Sequence, residues 1–173
     1  MIPLIKTRIP PRARRMPELE EVLESGYVAQ GEKVEQFERA VENYIGGGQS
    51  LSVNSGTAAL HIALILAGVK PGDEVISTAL TAEPTNVAIK MAGAKIRYAD
   101  VDAHTGNISP DSISENINSA TKALMVVDYA GIPVDVDRIK MISDQHGIPV
   151  IHDAAHSMGS MHRGIRIGNH FPY

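Results

Sequence analysis

The chain has 173 residues, 43% hydrophobic and 21% charged, a length and composition that suit one folded domain with a core and exclude disorder by composition. Its net charge of −4 argues against a general surface for nucleic acid or anionic membrane, and the absence of cysteine excludes disulfide scaffolds and thiolate metal sites. The N-terminus has no apolar run of signal-peptide length and no stretch is long enough to span a bilayer, so a soluble cytoplasmic protein is expected.

In chain order, residues 1–17 carry four prolines and no hydrophobic period. They read as an extended N-terminal arm, in which Arg8, Arg12, Arg14 and Arg15 form a solvated basic cluster. Residues 18–173 read as the folded part. Glu18 to Ser25 predicts a short helix with Leu19, Val22 and Leu23 on one face and Gly26 as its stop. Glu32 to Tyr44 predicts a second helix, with Val34, Phe37, Val41 and Tyr44 at helical spacing and the run Gly46-Gly47-Gly48 breaking it.

The stretch Ser52-Val53-Asn54-Ser55-Gly56-Thr57-Ala58-Ala59-Leu60 reads as the end of a short strand, a tight polar turn and the first turn of a helix that runs to Gly68. Asn54 or Ser55 can cap that helix, Gly56 permits close approach to the backbone, and Thr57 adds a hydroxyl. Unpartnered amides at a positive dipole end, beside hydroxyls, suit a phosphate; an ordinary capped helix fits the same residues.

Beyond it, strand and helix alternate. Strands are expected at 74–77, 95–99, 122–127 and 148–151, and helices at 83–92, 109–117 and 135–146. Strands joined by helices of this size predict an α/β fold, with a parallel sheet covered by helices on both faces.

The segment His152-Asp153-Ala154-Ala155-His156-Ser157 follows the last strand, where ligands of open α/β sheets sit. A carboxylate there needs a cation or donors, and a protonated pyridine nitrogen is one such partner. A helix N-cap is the plainer role for Asp153. His152, His156 and His162 match no zinc spacing, Asp100 and Asp102 read as solvated turn acids, and no metal site is expected. Gly46–Gly48 is not followed by the residues of a nucleoside-triphosphate loop.

Asn54-Ser55-Gly56-Thr57-Ala58-Ala59-Leu60 resembles the phosphate-binding turn of the DegT/DnrJ/EryC1/StrS sugar aminotransferases, pyridoxal 5'-phosphate (PLP) enzymes of fold type I. Ser25-Gly26-Tyr27, Gly31, Phe37-Glu38 and Asp153-Ala154-Ala155-His156 follow the family in the same order. The resemblance implies a cofactor site of Ser55, Gly56 and Thr57 at the phosphate, Asp153 at the ring nitrogen and His156 near the ring oxygen. It also implies a keto-sugar nucleotide and an amino acid donor as partners, and a homodimer.

Two departures stand out. The position of the family's ring-stacking aromatic holds Ala82. None of the lysines present matches the family's Schiff-base lysine, which falls beyond Tyr173, so no catalytic residue is assigned. The expectation is an incomplete fold type I large domain, the N-terminal part only, inactive by itself. A dehydratase of the same fold, with His for that Lys, is one alternative; a flavodoxin-like binding module is the other.

Fold type I further implies a continuous sheet of four strands in the order 95–99, 74–77, 122–127, 148–152, with residues 51–53 detached from it. The 148–152 strand then becomes an edge, apolar on both faces, that favours association. The Asn54–Thr57 turn is expected to sit too loosely to hold phosphate in the fragment.

Overall fold

A computed structural model describes residues 17–173; the predicted arm, with its basic cluster, lies outside the described residues except for Pro17. The described residues form two units, divided between Phe37 and Glu38.

The first unit contains α1 (Glu18–Ser25) and the opening turns of α2 (Glu32–Ile45). Glu18, Glu20 and Glu21 sit in the first turn of α1, where negative charge meets the positive end of the helix dipole. Gly26 closes α1 at φ 75°, a left-handed position that costs glycine little. Leu19 and Leu23 each remain 60% exposed, so the apolar face read from the sequence is not buried among the described residues.

The second unit contains the rest of α2, α3 (Gly56–Leu66), β1 (Glu74–Thr78), α4 (Glu83–Met91), β2 (Lys95–Ala99), α5 (Pro110–Asn116), β3 (Thr121–Val127), α6 (Val136–His146) and β4 (Val150–Asp153). A short antiparallel hairpin follows, β5 (Met161–His162) with β6 (Ile165–Arg166), turning at Arg163 and Gly164, both at positive φ. The sequence reading did not foresee this hairpin.

The main sheet has the order β2-β1-β3-β4, and each neighbouring pair is parallel. This is the expected order. Consecutive side chains on each strand point to opposite faces, and both faces are apolar, as in a sheet covered on two sides. On one face Ile76, Leu124, Val126 and Val150 pack with Ile113 of α5 and with Ile139 and Ile142 of α6. On the other, Val75, Ala123, Met125 and Ile151 pack with Leu60 and Leu64 of α3 and with Ala88 and Ile89 of α4.

Three details differ from expectation. Residues 51–53 form no strand. Leu51 is exposed, and Ser52 instead donates from its N–H and Oγ to one oxygen of Glu38, at 2.6 and 2.9 Å. With no strand beside it, this segment satisfies its polar groups through a side chain. Second, β4 starts at Val150 and extends to Asp153, so His152 lies inside the strand. Third, the outer edge of β4 is partly covered: the His152 N–H donates to the Tyr173 carbonyl at 2.9 Å, and the Phe171 ring meets the His152 ring edge-on, 5.2 Å between centroids.

Candidate functional site

The carboxyl ends of β1, β3 and β4 carry the polar residues of this fold. Past β1, Asn86 of α4 donates to the Thr78 carbonyl at 3.0 Å and accepts from the Ser77 hydroxyl at 2.9 Å. That clamp fixes the start of α4 against the end of β1. Thr81 and Ala82 occupy the connecting loop, and Pro84 takes an early helical position where a missing N–H costs nothing.

Past β3, the chain turns through Tyr129–Gly131, with Ala130 at φ 53° and Gly131 at φ 85°. Two groups shape this turn. The buried Asn107 accepts from the Tyr129 N–H at 2.8 Å and donates to the carbonyls of Ile132 and Pro133 at 2.9 and 3.1 Å. A Cβ on Gly131 would lie 2.9 Å from the His156 carbonyl oxygen, so only glycine lets these two segments come so close.

Asp128 lies beneath the turn with no exposed surface, and its Oδ1 stands 2.9 Å from Nε2 of the equally buried His152. The ring nitrogen does not meet hydrogen-bond geometry with the oxygen, so this is a close polar contact rather than an aligned hydrogen bond. Burial pushes the Asp128 carboxyl up; the His152 imidazole, with the Ser157 hydroxyl and the Val134 amide, draws it down further, and the result lies below the ordinary carboxylate value.

Past β4, half-buried Asp153 ends the strand. Its Oδ1 accepts from the Ala155 N–H at 3.2 Å, and its Oδ2 accepts from the Thr85 hydroxyl at 2.7 Å. Each carboxylate oxygen can accept a further bond. Asp153 shares a small cavity of about 30 Å³ with Thr81, Ala82, Val127, Tyr129, Ala155 and His156. Asp153 and His156, two of the predicted site residues, are thus brought together. Ala82 lines the same cavity, and beside it stands an aromatic side chain, Tyr129, that the sequence reading had not singled out.

The other predicted residues, Ser55, Gly56 and Thr57, form the N-terminus of α3. Ser55 is its N-cap, accepting from the Ala58 N–H at 3.2 Å, so the capping role falls to Ser55. By helix geometry the amides of Gly56 and Thr57 have no carbonyl partner within the helix. They do not line the cavity at Asp153. The turn takes its position from α3, which is seated on the sheet through Leu60 and Leu64, burial worth about 1.5–3 kcal/mol for each side chain. Detachment of residues 51–53 therefore does not release it.

The turn acids are as expected. Asp102 Oδ1 accepts from the amides of His104 and Thr105, both at 3.0 Å, and from the Thr105 hydroxyl at 3.1 Å; the Thr105 amide, ahead of the His104 amide, holds this carboxyl low. Among the described residues no group of three potential metal ligands comes together. A larger open cleft of about 520 Å³ lies within the first unit, where Val22, Tyr27 and Val34 sit among the solvated charges Glu21, Glu32 and Lys33.

A sequence profile of the DegT/DnrJ/EryC1/StrS aminotransferase family matches residues 11–171. The chain belongs to this family. Solved structures agree. The aminotransferase from Psychrobacter cryohalolentis is 33% identical with a TM-score of 0.83, the match covering 87% of this chain and 38% of that one. For 3-amino-5-hydroxybenzoic acid synthase the figures are 37%, 0.82, 87% and 40%. For NtdA from Bacillus subtilis, solved with its cofactor PMP bound, they are 34%, 0.81, 84% and 34%. The chain thus spans between 34% and 40% of the length of these three solved chains. As a DegT/DnrJ/EryC1/StrS protein, it shows the parallel α/β sheet of the fold type I aminotransferases over that part.

The residues present fit a pyridoxal cofactor. A half-buried carboxylate with one donor on each oxygen retains acceptor capacity for a protonated ring nitrogen. The surrounding Ala82, Val127, Tyr129 and Ala155 offer apolar and aromatic surface to a flat ring. The Thr85 hydroxyl, the Asp128–His152 pair and Asn107 had escaped the sequence reading. A threonine in the first turn of a helix beside Pro84 was a visible signal for the first; the other two form contacts across 22 and 24 residues that no local pattern announces.

Proposed function

We propose that this chain is the cofactor-cradling part of a PLP-dependent aminotransferase that aminates a keto-sugar nucleotide with an amino acid as donor. The observation that carries this reading is Asp153 at the carboxyl end of β4, in one cavity with His156, Ala82, Ala155 and Tyr129. When bound, PLP supplies an electron sink for the carbanion that develops at the substrate carbon.

The chain's own residues have three tasks. Asp153 holds the proton of the pyridine nitrogen, and the hydrogen bonds from Thr85 and Ala155 keep its carboxylate in place. His156 would lie near the ring oxygen. Ser55, Gly56 and Thr57 would hold the phosphate with the free amides and positive end of α3. None of the lysines in residues 1–173 matches the family's Schiff-base lysine, so no residue is assigned that role here. Work as a cytoplasmic homodimer belongs to the same reading.

Parallel titrations with PLP and with FMN test the assignment. Saturable binding of PLP, with FMN inert, is the expected result. Tight FMN binding with no response to PLP would replace the reading with a flavodoxin-like one.

A further inference from the structure

Thr85 lies in the first turn of α4, fully buried against the sheet. A helical threonine ordinarily spends its hydroxyl on a carbonyl one turn back. Here the hydroxyl instead reaches 68 positions along the chain, donating to Asp153 Oδ2 at 2.7 Å. The Thr85 hydroxyl oxygen also lies 2.8 Å from the Thr81 hydroxyl. A hydroxyl has one proton, and an ionised carboxylate only accepts. The directions are therefore fixed: Thr81 donates to Thr85, and Thr85 donates to Asp153.

The relay is anchored at both ends. Thr81 lines the cavity at Asp153, and the start of α4 is clamped to β1 through Asn86. On the other carboxylate oxygen the Ala155 N–H completes the grip at 3.2 Å. Valine has the shape of threonine and would suit the apolar face formed by Ala88 and Ile89 equally well. What threonine adds is the bond to Asp153.

We propose that Thr85, backed by Thr81, is a positioning residue: it fixes the Asp153 carboxylate in the orientation that receives a pyridinium N–H. This rests on the reading of Asp153 given above. Thr85 does not touch the cofactor in this assignment; it acts through Asp153.

The test uses the 173-residue chain and pyridoxamine 5'-phosphate, which binds without a bond to lysine and so reports non-covalent contacts alone. Affinity is read by titration, and protonation of the bound ring by the ¹⁵N shift of its labelled pyridine nitrogen. Thermal melts establish that each variant is folded. Asp153→Asn is expected to weaken binding at least tenfold and to leave the ring nitrogen unprotonated. Thr85→Val should weaken it about tenfold, as for a lost hydrogen bond to a charged group, and move the bound nitrogen towards the unprotonated shift. Thr85→Ser, which keeps the hydroxyl, should restore both readouts to within about twofold. Thr85→Ala carries the same expectation as the valine variant and replaces it should that one fail to fold.

Wild-type affinity and ¹⁵N shift in Thr85→Val, with Asp153→Asn impaired, would overturn the proposal and leave the cofactor reading intact. Failure of the wild-type chain to bind, or unchanged binding in Asp153→Asn, would overturn the cofactor reading, and the proposal with it.

Discussion

His152→Leu removes one partner of the buried pair at the core of the site. In the wild type, Asp128 Oδ1 and His152 Nε2 are 2.9 Å apart, with 0% and 3% of their side chains exposed. Leucine leaves the buried Asp128 carboxylate without its imidazole partner, and breaking a buried pair in this way typically costs about 3–5 kcal/mol. Against the usual total stability of roughly 5–15 kcal/mol, that is a large share. At roughly 2–4 °C per kcal/mol for a chain of this size, the melting point should fall by about 6–20 °C.

The pH dependence should change sign. In the wild type the Asp128 carboxyl titrates below its unfolded value of about 3.9. Its contribution is present above that value and is lost as pH falls through the folded value. In His152→Leu the Val134 amide and the Ser157 hydroxyl remain but the imidazole is gone, so burial outweighs them and acid should reduce the penalty. Urea unfolding at pH 7 and pH 4.5, followed by circular dichroism because the chain has no tryptophan, measures both effects. In His152→Leu/Asp128→Asn the charge is gone, and at least half of the loss should return. Equal stability of His152→Leu and wild type at pH 7, or a double variant no better than the single one, would refute the reasoning.

Three further outcomes follow from the same structure. Ser55→Ala removes the acceptor for the Ala58 N–H and should cost about 1 kcal/mol in urea unfolding. Gly131→Ala places a Cβ 2.9 Å from the His156 carbonyl at a φ of 85°, and should cost at least about 2 kcal/mol while shifting the amide resonances of Tyr129 and His156. In sedimentation the chain should associate as its concentration rises. The β4 edge and the exposed Ile65 and Leu66 of α3 leave apolar surface that gains about 25 cal/mol per Å² when covered, and a strict monomer at high concentration would count against this.

Much of the fold was legible because its signals are local. The strands are short apolar runs bounded by Gly, Pro and Asp, and the helices carry start and stop residues such as Ser109-Pro110 and Gly147. Strand order did not come from local pattern; it followed from the family resemblance. Residues 51–53 were misread as a strand because a β-like composition does not supply a neighbour to pair with. At the candidate site, Asp153 was singled out by its place at the end of the last strand and by the family resemblance, and His156 by the resemblance alone. Their supports were not: the Thr85–Asp153 and Asp128–His152 contacts join residues far apart in the chain, brought together by the seating of α4 on the sheet and by the β3–β4 register.

The central claim is that the α3 turn and the end of β4 hold opposite ends of one cofactor. Amide ¹H–¹⁵N spectra of the chain during titration with pyridoxamine 5'-phosphate test it most directly. The account predicts that Gly56, Thr57 and Ala58 move together with Ala155 and His156, on one binding curve with a single Kd. Shifts at only one of the two segments, different curves for the two, or a footprint elsewhere would contradict it.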